Sequence, residues 1–180
     1  NPAQRVVNVS AIDVDGNVGL DAQTLINLTA VNDRPVGIDS DVTTDEDQNY
    51  IFTSSDFGFS DPTDAGAGGV DPTANNLLAI KISTLPTVGE LQFDGVTITQ
   101  ADVDVGYFVS KADIDAEMLV YVPADDNNGT LSANGTSASS FTFQVQDDGG
   151  TLNGGLDLDA SANTMSVDIN PINDAPVLTG

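Results

Sequence analysis

The chain has 180 residues and a formal net charge of −24, from 28 acidic side chains against four basic ones. Nucleic acids and anionic membranes attract Lys and Arg, so this charge excludes both as partners. The absence of Cys and His excludes disulfides, thiolate metal sites, zinc centres and His-based acid–base catalysis. No apolar run is long enough to span a membrane, so direct membrane insertion is not expected.

Short strand-like segments follow one another along the chain. Each alternates apolar and polar residues and is bounded by Gly, Pro, Asp or Asn. The predicted strands are Arg5–Ile12, Gln23–Ala30, Asn49–Thr53, Leu77–Ile82, Glu90–Phe93, Val96–Thr99, Met118–Val122, Phe141–Gln146 and Thr164–Asn170. Asp94-Gly95 predicts a tight hairpin turn, and Lys111–Met118 has helical character over one or two turns. So many short strands indicate an all-β sandwich or barrel.

The acidic side chains need a counter-charge that the chain does not supply. Only Arg5, Arg34, Lys81 and Lys111 are basic. Screening by salt and bound divalent cations remain as sources. Calcium takes six to eight hard oxygen ligands, which carboxylates, Asn side chains and backbone carbonyls provide.

A six-residue motif occurs twice, 141 residues apart. Val31–Val36 reads Val-Asn-Asp-Arg-Pro-Val, and Ile172–Val177 reads Ile-Asn-Asp-Ala-Pro-Val. The similarity extends upstream, where these segments align: Val9–Gly16 with Phe143–Gly150, and Gln23–Ala30 with Thr164–Pro171. Self-similarity at a fixed period is typical of repeat arrays. The alignment predicts three parts: residues 1–33, the C-terminal hairpin of a preceding repeat or a strand-donating arm; residues 34–172, a complete repeat; and residues 173–180, a linker to the next repeat.

The chain resembles the cadherin-like tandem repeats, or extender domains, of large bacterial RTX-type adhesins. Besides the two linkers, the motifs that carry the resemblance are Thr44–Asp47, Leu85–Leu91, Asp113–Asp115 ahead of Leu119–Pro123, and Phe141–Gly149. The resemblance implies a Greek-key β-sandwich of the cadherin or immunoglobulin type, with at most one short helical turn. It also implies head-to-tail arrays at the cell surface of a secreted bacterial protein, with calcium at the junctions between repeats.

The resemblance further implies two sets of calcium ligands. At the junction above the complete repeat, the expected ligands are Asn32, Asp33, Asp61, Asp64 and Asp147. At the junction below it, they are Asn173, Asp174, Glu46 and either Asp113 or Asp115. Asp13 is the counterpart of Asp147 in the preceding repeat.

The expected function is that of a calcium-stabilised spacer in an extracellular bacterial adhesin, and not of an enzyme. Its partners would be adjacent identical or similar repeats, in cis or in trans. The alternative is a subunit of a calcium-dependent extracellular filament assembled by strand donation, because the hairpin within residues 1–33 cannot bury an apolar face alone. A sugar- or peptide-binding module is less favoured, since the chain has no Trp and three Tyr. No motif singles out a pair of carboxylates for hydrolysis.

Overall fold

The computed structural model describes residues 4–27, 31–64, 75–124 and 137–173. Within these ranges the chain forms thirteen strands and two short helices, so the predicted all-β sandwich is confirmed. The strands are β1 (Gln4–Val9), β2 (Ala22–Asn27), β3 (Val36–Ile38), β4 (Ser40–Asp45), β5 (Tyr50–Ile51), β6 (Gly58–Ser60), β7 (Leu77–Thr84), β8 (Glu90–Phe93), β9 (Val96–Thr97), β10 (Tyr107–Ser110), β11 (Leu119–Val122), β12 (Ser137–Asp147) and β13 (Asn163–Asn170). The helices are α1 (Gln100–Asp104) and α2 (Lys111–Asp115).

The larger sheet has five strands in the order β10-β7-β12-β13-β4. All neighbours are antiparallel except β13 and β4, which run parallel from Met165 opposite Ser40 to Asn170 opposite Asp45. β12 runs the other way, so its last residue, Asp147, lies opposite Leu77 at the far end of the sheet. The sheet therefore has a linker end, where Asp147 accepts a hydrogen bond from Asn32, and a distal end, where β4 and β13 finish.

The second layer is a four-stranded sheet in the order β5-β11-β8-β9. Alternate side chains of each sheet are buried, as the period of two in a strand requires. The core contains, from the larger sheet, Ile80, Ile82, Phe141, Phe143, Val145, Met165, Val167 and Ile169, and from the second sheet, Leu91, Leu119 and Tyr121. Edge-to-face contacts of Phe52, which follows β5, with Phe141 and of Phe57, which precedes β6, with Phe143 add to this core.

The local signals in the sequence appear where expected. Asp94 and Gly95 both have positive φ, and they connect β8 to β9 in a tight hairpin as predicted. α2 lies within the segment predicted to be helical, and the Ser110 side chain caps it by accepting a hydrogen bond from the Asp113 N–H. α1 is an additional helix, capped by Thr99 and Asp102. Both helices have five residues, far fewer than a membrane-spanning helix needs.

Strands β1 and β2 form a separate two-stranded sheet. Their described side chains are exposed on both faces, including Val6, Val9, Leu25 and Ile26. Further along, the short sheet of β3 and β6 positions the linker beside the larger sheet, because β3 follows the linker directly.

Candidate metal centre at the linker

Six polar residues from four parts of the chain meet at the linker end of the sandwich. This linker cluster consists of Asn32, Asp33, Asp61, Asp64, Asn75 and Asp147. Asp147 is the last residue of β12, Asp61 follows β6 directly, and Asn75 precedes β7 by two residues. The larger sheet and the β3–β6 sheet thus deliver these side chains from separate strand ends to one place.

Asn32 is the centre of the linker cluster. Its side-chain N–H donates to Asp147 Oδ1 at 2.9 Å and to the Leu156 carbonyl at 2.9 Å. Its own carbonyl accepts from the Leu156 N–H at 2.9 Å, and its Oδ1 accepts from the Asn75 side chain. Asn32 therefore attaches the linker to the end of β12 and to the loop that follows it.

The other members of the linker cluster are joined through Asp64 and Asn75. Asp64 Oδ2 accepts from the Asp33 backbone N–H at 2.9 Å and from the Asn75 side chain at 3.3 Å. Asp61 Oδ2 accepts from the Asn75 backbone N–H at 2.8 Å. The Asp33 residue is exposed, whereas Asp61 and Asp64 are buried.

Two buried carboxylate oxygens in the linker cluster have no hydrogen-bond partner. They are Asp61 Oδ1 and Asp147 Oδ2. Burial raises the pKa of Asp147 above its ordinary value, and the negative charges of Asp61 and Asp157 raise it further. Hydrogen bonds from Gly149 and Asn32 lower the pKa of Asp147, but by less than burial raises it. Such unpaired, buried, mutually repelling oxygens are the groups that a bound cation would satisfy.

The distal end carries a third oxygen of this kind. Glu46 follows β4 and is 3% exposed. Its Oε1 accepts from the Ile172 N–H at 2.5 Å, and its Oε2 is buried without a partner. Ile172 opens the second copy of the linker motif, so Glu46 contacts that linker directly. Asn173 is next in the chain, and Asp174 lies outside the described residues.

The structure does not bring Asp113 and Asp115 to Glu46. β10 runs antiparallel to β7 with Ser110 opposite Ala79, which places α2 near the linker end. Asp113 caps its own helix by accepting from the Ser110 hydroxyl at 2.6 Å. Asp115 pairs with Lys111, and hydrogen bonds from Lys111 and Ser54 lower its pKa. Both carboxylates already have partners, and Asp115 lines a surface depression shared with Asp148.

Asn75 and Gly149 belong to this centre although the sequence did not single them out. Asn75 links Asn32, Asp61 and Asp64. A Cβ added at Gly149 would overlap the side chains of Asn32 and Asn75, so this glycine makes room for their contact. The Asn-Asn pair directly ahead of a strand was the available signal for Asn75.

The donor set of the linker cluster suits a hard cation. Carboxylate and Asn oxygens are calcium ligands, and the cluster contains no nitrogen or sulfur group of the kind that zinc prefers. In the described ranges, no three Asp or Glu side chains are grouped closely enough to form a metal site by themselves. The linker cluster is mixed instead, with its acids joined through two asparagines.

Comparison of the chain with protein-family models, with curated proteins and with solved structures gave no match.

Proposed function

We propose that the chain is a calcium-stabilised structural repeat, a spacer within an extracellular bacterial adhesin. The β-sandwich supplies a rigid unit of fixed length. A linker enters at one end and leaves at the other, and calcium at each junction holds successive repeats in a fixed relative pose.

One observation carries this proposal: the three buried, unpartnered carboxylate oxygens lie beside the two copies of the linker motif. Asp61 Oδ1 and Asp147 Oδ2 are next to Asn32, and the Glu46 side chain contacts Ile172. An unpaired buried carboxylate costs several kcal/mol, so a fold retains it where a ligand offsets the cost.

The distribution of positive charge supports a cation from solution. Among the described residues the one ion pair is Lys111–Asp115, on the exposed surface of α2. Arg34 is the basic residue closest in sequence to the linker cluster, and its guanidinium donates to the Leu158 carbonyl at 2.9 Å. Within the described part of the chain, the carboxylates of Asp61, Asp147 and Glu46 form no ion pair with Lys or Arg. Calcium is the counter-charge that the proposal supplies.

Thermal unfolding in calcium and in sodium chloride of matched ionic strength tests the proposal. Extracellular modules bind calcium with dissociation constants of roughly 10⁻⁴–10⁻³ M. Free calcium at about 100 times that constant contributes about 2.7 kcal/mol per site. For a chain of this size the melting temperature rises by roughly 5–10 °C per site. Equal shifts in both salts would mean that calcium acts only by screening, which would contradict specific binding.

The exposed hairpin of β1 and β2 favours a second candidate, a filament subunit that donates these strands to another chain. Its apolar side chains are exposed, and among the described residues neither strand pairs with a third strand, which is the arrangement to which strand addition adds. This candidate requires calcium-dependent polymers of the unmodified chain, whereas the spacer requires monomers. Sedimentation velocity with and without calcium separates the two.

A further inference from the structure

The hairpin of β1 and β2 reproduces the pairing of β12 and β13 residue for residue. Val9 pairs with Ala22, and Phe143, 134 residues after Val9, pairs with Asn163, 141 residues after Ala22. The same two offsets convert all six pairs of the first hairpin, from Gln4–Asn27 to Val9–Ala22, into pairs of the second. The two hairpins therefore share their strand register over all six pairs of the first hairpin, and not only a similar amino-acid composition.

The backbone beyond the paired strands matches as well. The Asp13 N–H donates to the Asn17 carbonyl at 3.0 Å, and the Asp147 N–H donates to the Asp157 carbonyl at 2.9 Å. The bridge between Ile12 and Val18 corresponds to the bridge between Gln146 and Leu158. The connection between the paired strands is seven residues shorter in the first hairpin, with six of them missing between Ile12 and Val18 and one between Val18 and Ala22. The two hairpins are therefore one structural unit with turns of different length.

The surroundings of the two hairpins differ completely. β12 and β13 lie between β7 and β4, and their inner face is buried by the second sheet. Phe143 is fully buried, whereas its counterpart Val9 is 56% exposed. Val167 is also fully buried, and its counterpart Ile26 is 45% exposed. The first hairpin is thus paired like two strands from the interior of a sandwich. Among the described residues, however, no flanking strand and no second sheet covers it.

We infer that the β1–β2 hairpin completes a second β-sandwich of the same kind, formed with an incomplete repeat equivalent to residues 34–136 and placed ahead of it on the same polypeptide. That partner would give β1 an antiparallel neighbour, as β7 does for β12, and β2 a parallel neighbour, as β4 does for β13. The inference does not depend on calcium binding and goes beyond the proposed spacer role.

Charge favours a partner on the same polypeptide over another copy of the chain. Each copy carries −24, so two copies repel one another at moderate ionic strength. A covalently attached segment instead meets the hairpin at a high effective concentration. In addition, a complete copy already fills the place between its own β7 and β4 with β12 and β13.

The register predicts individual contacts. Gln144 lies opposite Lys81, so Ser10, the counterpart of Gln144, is expected opposite the equivalent of Lys81 in the partner. Ser166 lies opposite Asp41, so Leu25 is expected opposite the equivalent of Asp41.

A disulfide test uses the full chain with a second copy of residues 34–136 joined ahead of Asn1. The protein has no cysteine, so Ser10→Cys together with Lys81→Cys in the added copy gives a single possible intramolecular pair. Oxidation is expected to link this pair nearly completely. A matched control with Ala79→Cys in the added copy, two residues out of register, is expected to remain reduced. Equal oxidation of both pairs, or of neither, would overturn the inference.

Hydrogen exchange provides a second measurement on the same protein without cysteines. The amides of β1 are expected to exchange at least about a hundredfold more slowly than in the unmodified chain, because they gain partners in a sheet interior. An added copy that remains unfolded, or leaves β1 unprotected, contradicts the inference. Sedimentation of the unmodified chain must show monomers, and hairpin-dependent oligomers would overturn the assignment to one polypeptide.

Discussion

Asp147 and Glu46 share an arrangement in which one carboxylate oxygen is hydrogen-bonded and the other is buried without a partner. In Asp13, the counterpart of Asp147, both oxygens accept hydrogen bonds from the turn itself, at 2.8–3.0 Å from Asp15 and Asn17. These hydrogen bonds lower the pKa of Asp13, whereas burial raises that of Asp147. The shorter turn therefore satisfies both oxygens of its acid internally, whereas the longer one leaves Asp147 Oδ2 buried without a hydrogen-bond partner.

Asp147→Asn is expected to have opposite effects with and without calcium. In a chelator the variant should be more stable than the parent by about 1–3 kcal/mol, because it removes a buried charge that repels Asp61 and Asp157. In calcium, the variant should lose the stabilisation that a calcium ion bound at the linker cluster gives to the parent. Denaturant unfolding in both conditions measures this, with Asp94→Asn as control, since Asp94 is exposed and its positive φ tolerates Asn. Lower stability of Asp147→Asn in chelator would contradict the argument.

The effect of Asp147→Asn should depend on pH. The folded-state pKa of Asp147 is raised above 3.8, so the folded chain holds this proton more tightly than the unfolded chain. The associated stability is fully present below about pH 3.8 and is lost as pH rises through the raised pKa. In chelator, the advantage of Asp147→Asn over the parent should therefore be largest near neutral pH and shrink on acidification. A stability difference between variant and parent that does not change with pH would show that the charge of Asp147 does not cause it.

At the scale of elements, nine of the thirteen strands in the described ranges were predicted, and β3, β4, β6 and β10 were missed. All nine predicted strands are present, with boundaries shifted by a few residues. β10, Tyr-Phe-Val-Ser, is apolar but only four residues long, so it shows no clear alternation. β4, Ser-Asp-Val-Thr-Thr-Asp, was missed because only Val42 and Thr44 face inward and neither gives a strong pattern. β3 and β6 were missed because three residues are too few to show a period. Their pairing with each other is a long-range contact that no local signal reports.

The contact between the linker and the loop after β12 should be sensitive to Gly149→Ala. The added methyl group would overlap Asn32 and Asn75, so we expect a loss of about 1–3 kcal/mol in unfolding free energy. Gly19→Ala is the matched control, because its nearest contact would be an ordinary 3.4 Å and its φ is not positive. Chemical denaturation of both variants in chelator measures this, and similar stabilities would show that the asparagine contact is not tightly packed.

For the whole molecule, the sequence predicted the repeat period. It predicted only in part which acidic residues lie at which end of the sandwich. Asp61, Asp64 and Asp147 lie with Asn32 at the linker end because each ends or follows a strand there. Asp113 and Asp115 were expected with Glu46, yet the antiparallel pairing of β10 and β7 puts them near the other end. Sheet register is set by contacts distant in sequence, so motif order alone could not distinguish the two ends.

Deletion of residues 1–30 should leave the melting temperature of the remaining chain within about 2 °C of the parent. The described side chains of β1 and β2 are exposed, and surface changes of this kind alter stability by about 0.5 kcal/mol or less. Deletion of residues 1–35 should cost much more, because it also removes Asn32 and the Arg34 contact with Leu158. Differential scanning calorimetry compares the two truncations, and equal melting temperatures would mean that the linker contributes nothing.

Calcium is expected to bind at the buried carboxylates of both ends of the sandwich, and calorimetric calcium titration tests this most directly. The parent should bind calcium saturably, Asp147→Asn and Glu46→Gln should each lose part of the binding, and the double variant should lose nearly all of it. Asp94→Asn should bind like the parent. A parent without saturable heat, or a double variant that binds like the parent, would contradict the claim.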